Sequence, residues 1–217
     1  MKSTLFNMVT VLFCITLIAS AGVGGVNMLT EEKIAQANAA AETEAVSMVL
    51  PDFEEVTTVE QTIDEMPIVV NTATAGDQVI GYAIKTMTKK GFSGEISLMV
   101  GFDPDGKVLN VQVLTQNETP GLGSKMADEG NPLISSIKGK NPCEMKLSVT
   151  KDGGDVDALT AATISSRAYV DAIGRAFQAY AQVAGKEYKQ DGVSGASQPE
   201  KEHKAQKGDD DDDDDDE

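Results

Sequence analysis

The stretch from Leu5 to Leu29 is predominantly apolar, and it constrains the fold more than any other segment of the chain. As an α-helix at 1.5 Å per residue it would be about 37 Å long, enough to cross a hydrocarbon core of about 30 Å. Residues 1–29 are therefore predicted to form a single transmembrane anchor. Lys2 precedes the apolar run and two acidic residues, Glu31 and Glu32, follow it. The positive-inside bias then predicts a cytoplasmic N-terminus, with the remaining domain on the outer face of the membrane.

A cleaved signal peptide is the competing interpretation of this N-terminus. Ala19-Ser20-Ala21 is similar to the small-residue sites at which such peptides are cut. Apolar sequence continues well beyond Ala21, however, and this length favours a retained anchor.

Residues 30–66 are predicted to form a second helix followed by a linker. Thr30 is a candidate N-cap for that helix, because acidic residues occupy the first turn after it. The segment from Met48 to Val59 contains Pro51 and several acidic residues. We expect this segment to be irregular.

Residues 67–186 are predicted to form one α+β domain, a mixed and mainly antiparallel sheet packed with helices. Partly alternating apolar segments predict the strands, and a Pro-Asp-Gly turn at 103–106 predicts a hairpin. A short helix is expected within 124–137. The predicted strands span 67–70, 78–86, 95–102, 107–114 and 143–149.

The strongest helical pattern in the chain runs from Ser166 to Val183. Apolar side chains recur there at spacings of three and four, which predicts a helix with one face packed on the sheet. Those side chains are Tyr169, Ile173, Ala176, Phe177 and Tyr180.

Four hydroxyl side chains crowd the predicted start of that helix, between Thr160 and Ser166. Ser165 or Ser166 is a candidate N-cap. A helix start also attracts anions, because its amides and its dipole point outward. Thr163 would then lie beside a phosphate-sized pocket. A capped helix start without a ligand is the simpler interpretation from the residues alone.

The second segment of interest, Glu118-Thr119-Pro120-Gly121-Leu122-Gly123, follows the predicted hairpin. Its proline and glycines allow a sharp turn and a close approach of the backbone to a ligand. It does not match the phosphate loop of nucleotide-binding proteins, although Gly-Ser-Lys occurs at 123–125. Taken alone, it is a turn.

Together, the two segments resemble a known pair of motifs. Asp157-x-x-Thr160-Ala161-Ala162-Thr163 resembles the Asp-x-x-Ser/Thr-Gly/Ala-Ala-Thr motif of proteins that carry FMN covalently, with Ala161 where Gly is commoner. The segment 118–123 resembles the Glu-Thr-Pro-Gly-Leu-Gly loop of the same family. Over roughly residues 1–186, the chain is similar to G subunits of the Rnf ion-translocating ferredoxin:NAD oxidoreductase complex.

The resemblance implies a function and a set of site residues. FMN would be esterified through its phosphate to Thr163, a phosphothreonyl-FMN linkage. A flavin-attaching enzyme would recognise Asp157, Thr160 and Ala162. The loop residues Thr119, Leu122 and Gly123 would line the isoalloxazine or the phosphate. The chain would then be an electron-transfer subunit of a membrane complex that couples electron flow between ferredoxin and NAD to translocation of Na⁺ or H⁺.

Two alternatives remain open at this point. The C subunit of the Na⁺-translocating NADH:quinone reductase has a similar pair of motifs. A membrane-anchored FMN-binding or flavin-free interaction module outside any ion pump is the second possibility.

Composition excludes several other classes of function. The net charge is −17, and the nine residues of Asp209–Glu217 carry nine of the negative charges. Such a chain is a poor nucleic-acid binder, because phosphate contacts need Lys and Arg. With two cysteines and His203 as the single histidine, a zinc hydrolase or a Ser-His-Asp enzyme lacks its residues. We expect no metal site and no self-contained catalytic site.

The polar segment 187–217 is predicted to be a disordered acidic tail, because its like charges repel and it has no apolar face to bury. Binding of divalent cations to the aspartates is the alternative function for this tail.

Overall fold

The structure is a computed structural model that describes residues 5–186. The acidic tail predicted at 187–217 lies outside the described residues. The described part contains three α-helices, five strands and three short 3₁₀ turns. The helices are α1 (Leu5–Val49), α2 (Pro132–Ile137) and α3 (Thr163–Val183); the strands are β1 (Glu55–Ile63), β2 (Met66–Ala75), β3 (Gln78–Thr88), β4 (Ile96–Phe102) and β5 (Val108–Gln116); the 3₁₀ turns are Gly123–Ala127, Pro142–Glu144 and Thr150–Asp152.

Helix α1 is continuous from Leu5 to Val49. The prediction that a second helix starts at Thr30 was therefore wrong. The Thr30 hydroxyl donates to the carbonyl of Val26 at 2.9 Å inside α1 and does not cap a helix start. Among the described residues, one helix is long and apolar enough to cross a membrane, and none of the other described residues buries its most apolar part. Only the last turns of α1 are buried against the domain, through Ala45, Val46 and Val49.

The five strands form one antiparallel sheet in the order β1-β2-β3-β4-β5, so each strand pairs with its neighbours in sequence. Four of the predicted strands correspond to β2 to β5, and two of the four begin one residue too early. The sheet nevertheless begins at Glu55, inside the segment predicted to be an irregular linker, and that prediction was wrong. Strand β1 is exposed along most of its length, so no apolar alternation marks it in the sequence.

The turn between β1 and β2 has positive φ at both central residues, 52° at Asp64 and 61° at Glu65. This backbone geometry is the one that matches the twist of a two-residue hairpin. The local turn therefore fixes the register in which Ile63 pairs with Met66.

The strand predicted at 143–149 was also wrong. A 3₁₀ turn, Pro142–Glu144, occupies the first residues of that segment, so the chain there is not extended. Val149 instead makes a single parallel bridge with Val156. The short helix expected within 124–137 is confirmed by α2, whose first turn is capped by the side chain of Asn131.

The sheet is covered on both faces. Helix α3 lies on one face, and its predicted apolar residues are all buried there. Tyr180 stacks on Phe102 with ring centroids 5.3 Å apart. The end of α1 covers the other face against Ala83 and Met99. This arrangement confirms the predicted α+β class, with one N-terminal helix able to span a membrane and an antiparallel sheet packed with helices.

One close contact fixes the end of α1 on the sheet. A Cβ at Gly101 of β4 would lie 2.1 Å from the carbonyl oxygen of Val49. Only glycine therefore allows α1 to approach this strand.

Candidate functional site

A cavity of about 410 Å³ lies where the two sequence motifs meet. One wall is the loop after β5, and the other is the start of α3. Five of the predicted site residues line it: Thr119, Leu122, Gly123, Ala162 and Thr163; the others that line it are Phe92, Ala161, Ile164 and Ser165. The structure thus brings together two segments that are far apart in sequence.

The loop wall of the cavity is a tight turn. The amide of Leu122 donates to the carbonyl of Thr119 at 3.1 Å. Gly121 has a φ of 75°, a conformation that favours glycine, and its amide donates to the Ser124 hydroxyl at 2.9 Å. This turn presents Leu122, which is 40% exposed, at the cavity.

The helix wall begins without a side-chain cap. Helix α3 starts at Thr163 with Ala162 at the N-cap position, where no side chain can accept from the first-turn amides. The prediction of a cap at Ser165 or Ser166 was therefore wrong. Ser166 accepts from the amide of Leu159 at 3.0 Å and donates to the carbonyl of Ala162 at 2.8 Å. An uncapped helix start of this kind can bind an anion through its amides.

Ala161 adopts a φ of 59° immediately before this helix start. This is the left-handed region, which costs an L-residue roughly 1–2 kcal/mol relative to the right-handed one. This backbone conformation is one that favours glycine.

The hydroxyl of Thr163 is hydrogen-bonded to a cation. Lys151 donates from Nζ to Thr163 Oγ1 at 2.8 Å. Lys151 lies in the 3₁₀ turn Thr150–Asp152, and that turn is tied to α3 by two hydrogen bonds from Arg167 to Asp152, at 2.8 and 2.6 Å. The bonded guanidinium lowers the pKa of the Asp152 carboxyl.

Lys151 was missed by the sequence-based prediction, which gave this residue no role. Its distance from Thr163 in the chain hides the contact, and no local pattern indicates it.

Behind the cavity lies a buried carboxylate, Glu118, whose residue is 4% exposed. One of its oxygens, Oε1, accepts from the amide of Ser93 at 3.0 Å, and Oε2 accepts from the hydroxyl of Ser165. Gly123 packs directly against it, because a Cβ there would lie 2.8 Å from Glu118 Cβ and 2.6 Å from Ser165 Oγ. Sequence reasoning placed Glu118 in the motif but gave it no role.

Asp157 and Thr160 do not line the cavity. Both are exposed on the segment that leads into α3. The amide of Asp157 donates to the Ser136 hydroxyl at 3.0 Å, which ties this segment to α2. The side chains of Asp157 and Thr160 are therefore accessible to another protein.

The described residues include no group of three or more His, Cys, Asp or Glu side chains that could hold a metal ion. The chemistry available at the cavity is therefore that of a hydroxyl, a neighbouring ammonium, an uncapped helix start and an apolar rim. That rim consists of Phe92, Leu122 and Ile164, all exposed.

Comparisons with known proteins agree with these features. The FMN-binding domain family matches residues 91–178, which include both walls of the cavity. The G subunit of the ion-translocating oxidoreductase complex of Shewanella amazonensis is 34% identical over 73% of this chain and 80% of its own length. Its counterpart from Shewanella loihica is 32% identical, over 81% and 89%. The G subunit of the Na⁺-translocating ferredoxin:NAD⁺ oxidoreductase complex of Acetobacterium woodii is 29% identical, over 81% and 91%.

Proposed function

The chain belongs to the family of G subunits of ion-translocating oxidoreductase complexes, and on that premise we propose that it carries FMN covalently on Thr163 and relays electrons within such a complex. The observation that carries this proposal is the position of Thr163. Its hydroxyl lies at an uncapped helix start, beside an ammonium group and on the wall of a cavity formed by both motifs.

The residues present fit FMN. A cavity of about 410 Å³ lies within the range of small-molecule and cofactor sites, which is about 300–1,000 Å³. Its apolar rim suits a planar ring system, and the helix start and Lys151 suit a phosphate. When bound, FMN supplies the redox chemistry, and the protein supplies position and electrostatics.

Each residue then has a distinct role. Thr163 is the attachment residue, and Thr119, Leu122 and Gly123 hold the flavin. The flavin-attaching enzyme recognises the motif residues Asp157, Thr160 and Ala162, of which Asp157 and Thr160 are exposed. Covalency serves retention, because an ester prevents loss of the cofactor to a dilute external compartment.

The partners are the other subunits of the complex, which would hold the donor, the acceptor and the ion path. The complex of the Acetobacterium relative is named for ferredoxin, NAD⁺ and Na⁺, and we extend the ferredoxin-to-NAD⁺ electron path to this chain. The C subunit of the Na⁺-translocating NADH:quinone reductase stays the alternative that the motifs allow, and purification with the neighbouring subunits distinguishes the two.

The proposed organisation is a membrane anchor at 1–29 within α1, an FMN domain whose sheet begins at Glu55 and not at the predicted residue 67 and which extends to residue 186, and an acidic tail at 187–217, with the domain outside the inner membrane. Glu31 and Glu32 after the apolar run support this orientation. Protease added to cells stripped of the outer membrane should cut the domain. If the domain is cut only after the inner membrane is opened, the domain lies on the cytoplasmic side and the proposed orientation is wrong.

The test of attachment is Thr163→Ala, coexpressed with a flavin-attaching enzyme. The change removes the only atom on this side chain that can form the ester, and for a half-exposed position it should cost within about 0.5–1 kcal/mol of stability. On a denaturing gel the wild type should fluoresce under ultraviolet light and the variant should be dark. Thr160→Ala is the control: it removes a hydroxyl nearby and should keep some fluorescence. A fluorescent Thr163→Ala band would refute the assignment.

A further inference from the structure

Glu118 is a buried carboxylate that the proposed attachment chemistry does not use. It is 4% exposed, and none of the described cations forms a salt bridge with it. Burial of a charge without a cation is costly. A residue that serves only to fill space at this position would not need to be charged.

The hydrogen bonds of Glu118 are those of an ionised carboxylate. The amide of Ser93 donates to one oxygen at 3.0 Å, and the hydroxyl of Ser165 donates to the other. Both oxygens accept, as in a carboxylate without a proton. Ser165 is the third residue of α3, so the positive end of the helix dipole also stabilises this charge.

Glu118 lies directly behind the wall of the cavity. Two lining residues, Gly123 and Ser165, separate its side chain from the cavity, and Gly123 packs against it so closely that a Cβ would lie 3.0 Å from Oε2. Its contact with Ser93 also fixes the loop that carries Phe92, a third part of the lining. The charge is therefore within a few ångströms of whatever fills the cavity, and the Glu118 residue itself is almost fully shielded from water.

From this placement we infer that the negative charge of Glu118 lowers the reduction potential of the flavin held in the cavity. The inference rests on the proposed function. Reduction adds electrons to the flavin, and a nearby buried negative charge opposes that gain, with little screening by water. The direction of the effect does not depend on how the ring is oriented.

Glu118→Gln removes the charge and keeps the size of the side chain. Its carbonyl oxygen can still accept from Ser93, and its amide can donate to Ser165, since a hydroxyl also accepts. The matched control is Glu60→Gln, an exposed carboxylate on β1, at the opposite edge of the sheet from β5. Each full-length protein is coexpressed with the flavin-attaching enzyme, solubilised in detergent and titrated anaerobically with a chemical reductant and mediators.

The midpoint potential of Glu118→Gln should be more positive than that of the wild type, by more than the spread among replicates. Glu60→Gln should match the wild type, because an exposed charge is screened. Equal potentials in Glu118→Gln and the wild type, both with flavin attached, would overturn this inference and leave the proposed function intact. A wild type that takes no flavin would overturn both.

Ser165→Ala provides a second measurement in case Glu118→Gln carries no flavin. It keeps the charge and removes one of its two donors, so the carboxylate is less neutralised and the potential should become more negative. General damage to the pocket would move both variants in the same direction, whereas the charge of Glu118 moves them in opposite directions. An unchanged or more positive potential in Ser165→Ala refutes the inference, as does failure of both variants to carry flavin.

Discussion

Lys151 donates from its ammonium nitrogen to the hydroxyl oxygen of Thr163 at 2.8 Å, although the two residues are twelve positions apart. The contact depends on the 3₁₀ turn that carries Lys151, which Arg167 holds through Asp152. A cation is thus fixed beside the atom to which the flavin phosphate would be joined. Such a cation would offset the charge of a phosphodiester at Thr163.

Lys151→Met should therefore reduce the amount of covalent flavin. A partly exposed charge pair contributes about 0.5–1 kcal/mol, which corresponds to a two- to five-fold loss of attached flavin when attachment is limited by that interaction. Stability should change by no more than about 0.5 kcal/mol, since Lys151 is exposed. The effect is measured as the flavin fluorescence of the protein band on a denaturing gel, divided by the amount of protein. The attaching enzyme is kept at a limiting concentration.

Two further variants control this experiment. Lys151→Arg keeps the positive charge and should restore most of the yield, and Lys138→Met removes an exposed lysine beyond α2 and should have no effect. Wild-type yield in Lys151→Met would show that the contact with Thr163 has no part in attachment.

Ala161→Gly should make the protein more stable, which is unusual for a substitution to glycine. Ala161 has a φ of 59°, and relief of that conformation is worth roughly 1–2 kcal/mol. Glycine also lowers the stability by about 0.4–1 kcal/mol, because it gives the unfolded chain greater conformational freedom. The net expectation is a gain of about 0.5–1 kcal/mol, measured by chemical unfolding.

Ala127→Gly is the matched control for that substitution. Ala127 is exposed and is not among the described residues with positive φ, so only the entropic cost applies and stability should fall by about 0.5 kcal/mol. A destabilised Ala161→Gly protein would show that the left-handed conformation carries no strain here.

Much of the fold follows from patterns that are local in sequence. The apolar run at Leu5–Leu29 predicts the long helix, the periodic residues of α3 predict its buried face, and the Pro-Asp-Gly turn predicts the β4–β5 hairpin. These elements bury apolar side chains on one face, so the period of the sequence indicates them. Strand β1 lacks that signal, because most of its residues are exposed on both faces.

The candidate site was predictable only in part, for a related reason. Thr163 and the loop 118–123 belong to motifs that can be read along the chain. The roles of Lys151 and Glu118 depend on contacts with residues 12 and 47 positions away, which only the tertiary structure creates. The N-cap was also predicted wrongly from local sequence. Helix α3 begins three residues before Ser166, so the Ser166 hydroxyl bonds to Leu159 and Ala162 and does not cap the helix.

A buried ionic cluster joins α3 to the end of β3. Asp171 contacts Arg175 one turn later, Lys90 at 2.9 Å and Thr88 at 2.9 Å. Burial opposes ionisation of Asp171, but the bonds from Lys90 and Thr88 and the charge of Arg175 outweigh it, so its pKa is lowered. The ionised form therefore stabilises the folded state.

Asp171→Asn should cost about 3 kcal/mol at neutral pH, because it leaves Arg175, 5% exposed, without its buried partner. Since the pKa of Asp171 is lower in the folded protein, its contribution is present above the unfolded value of about 3.9 and is lost as the pH falls through the folded one. The stability difference between wild type and Asp171→Asn, from urea unfolding at several pH values, should hold down to about pH 4 and shrink below it. Asp152→Asn, at a more exposed pair, should cost only about 1 kcal/mol. A difference for Asp171→Asn that stays constant as the pH falls below 4 would mean that its cost comes from altered packing and not from the lost charge.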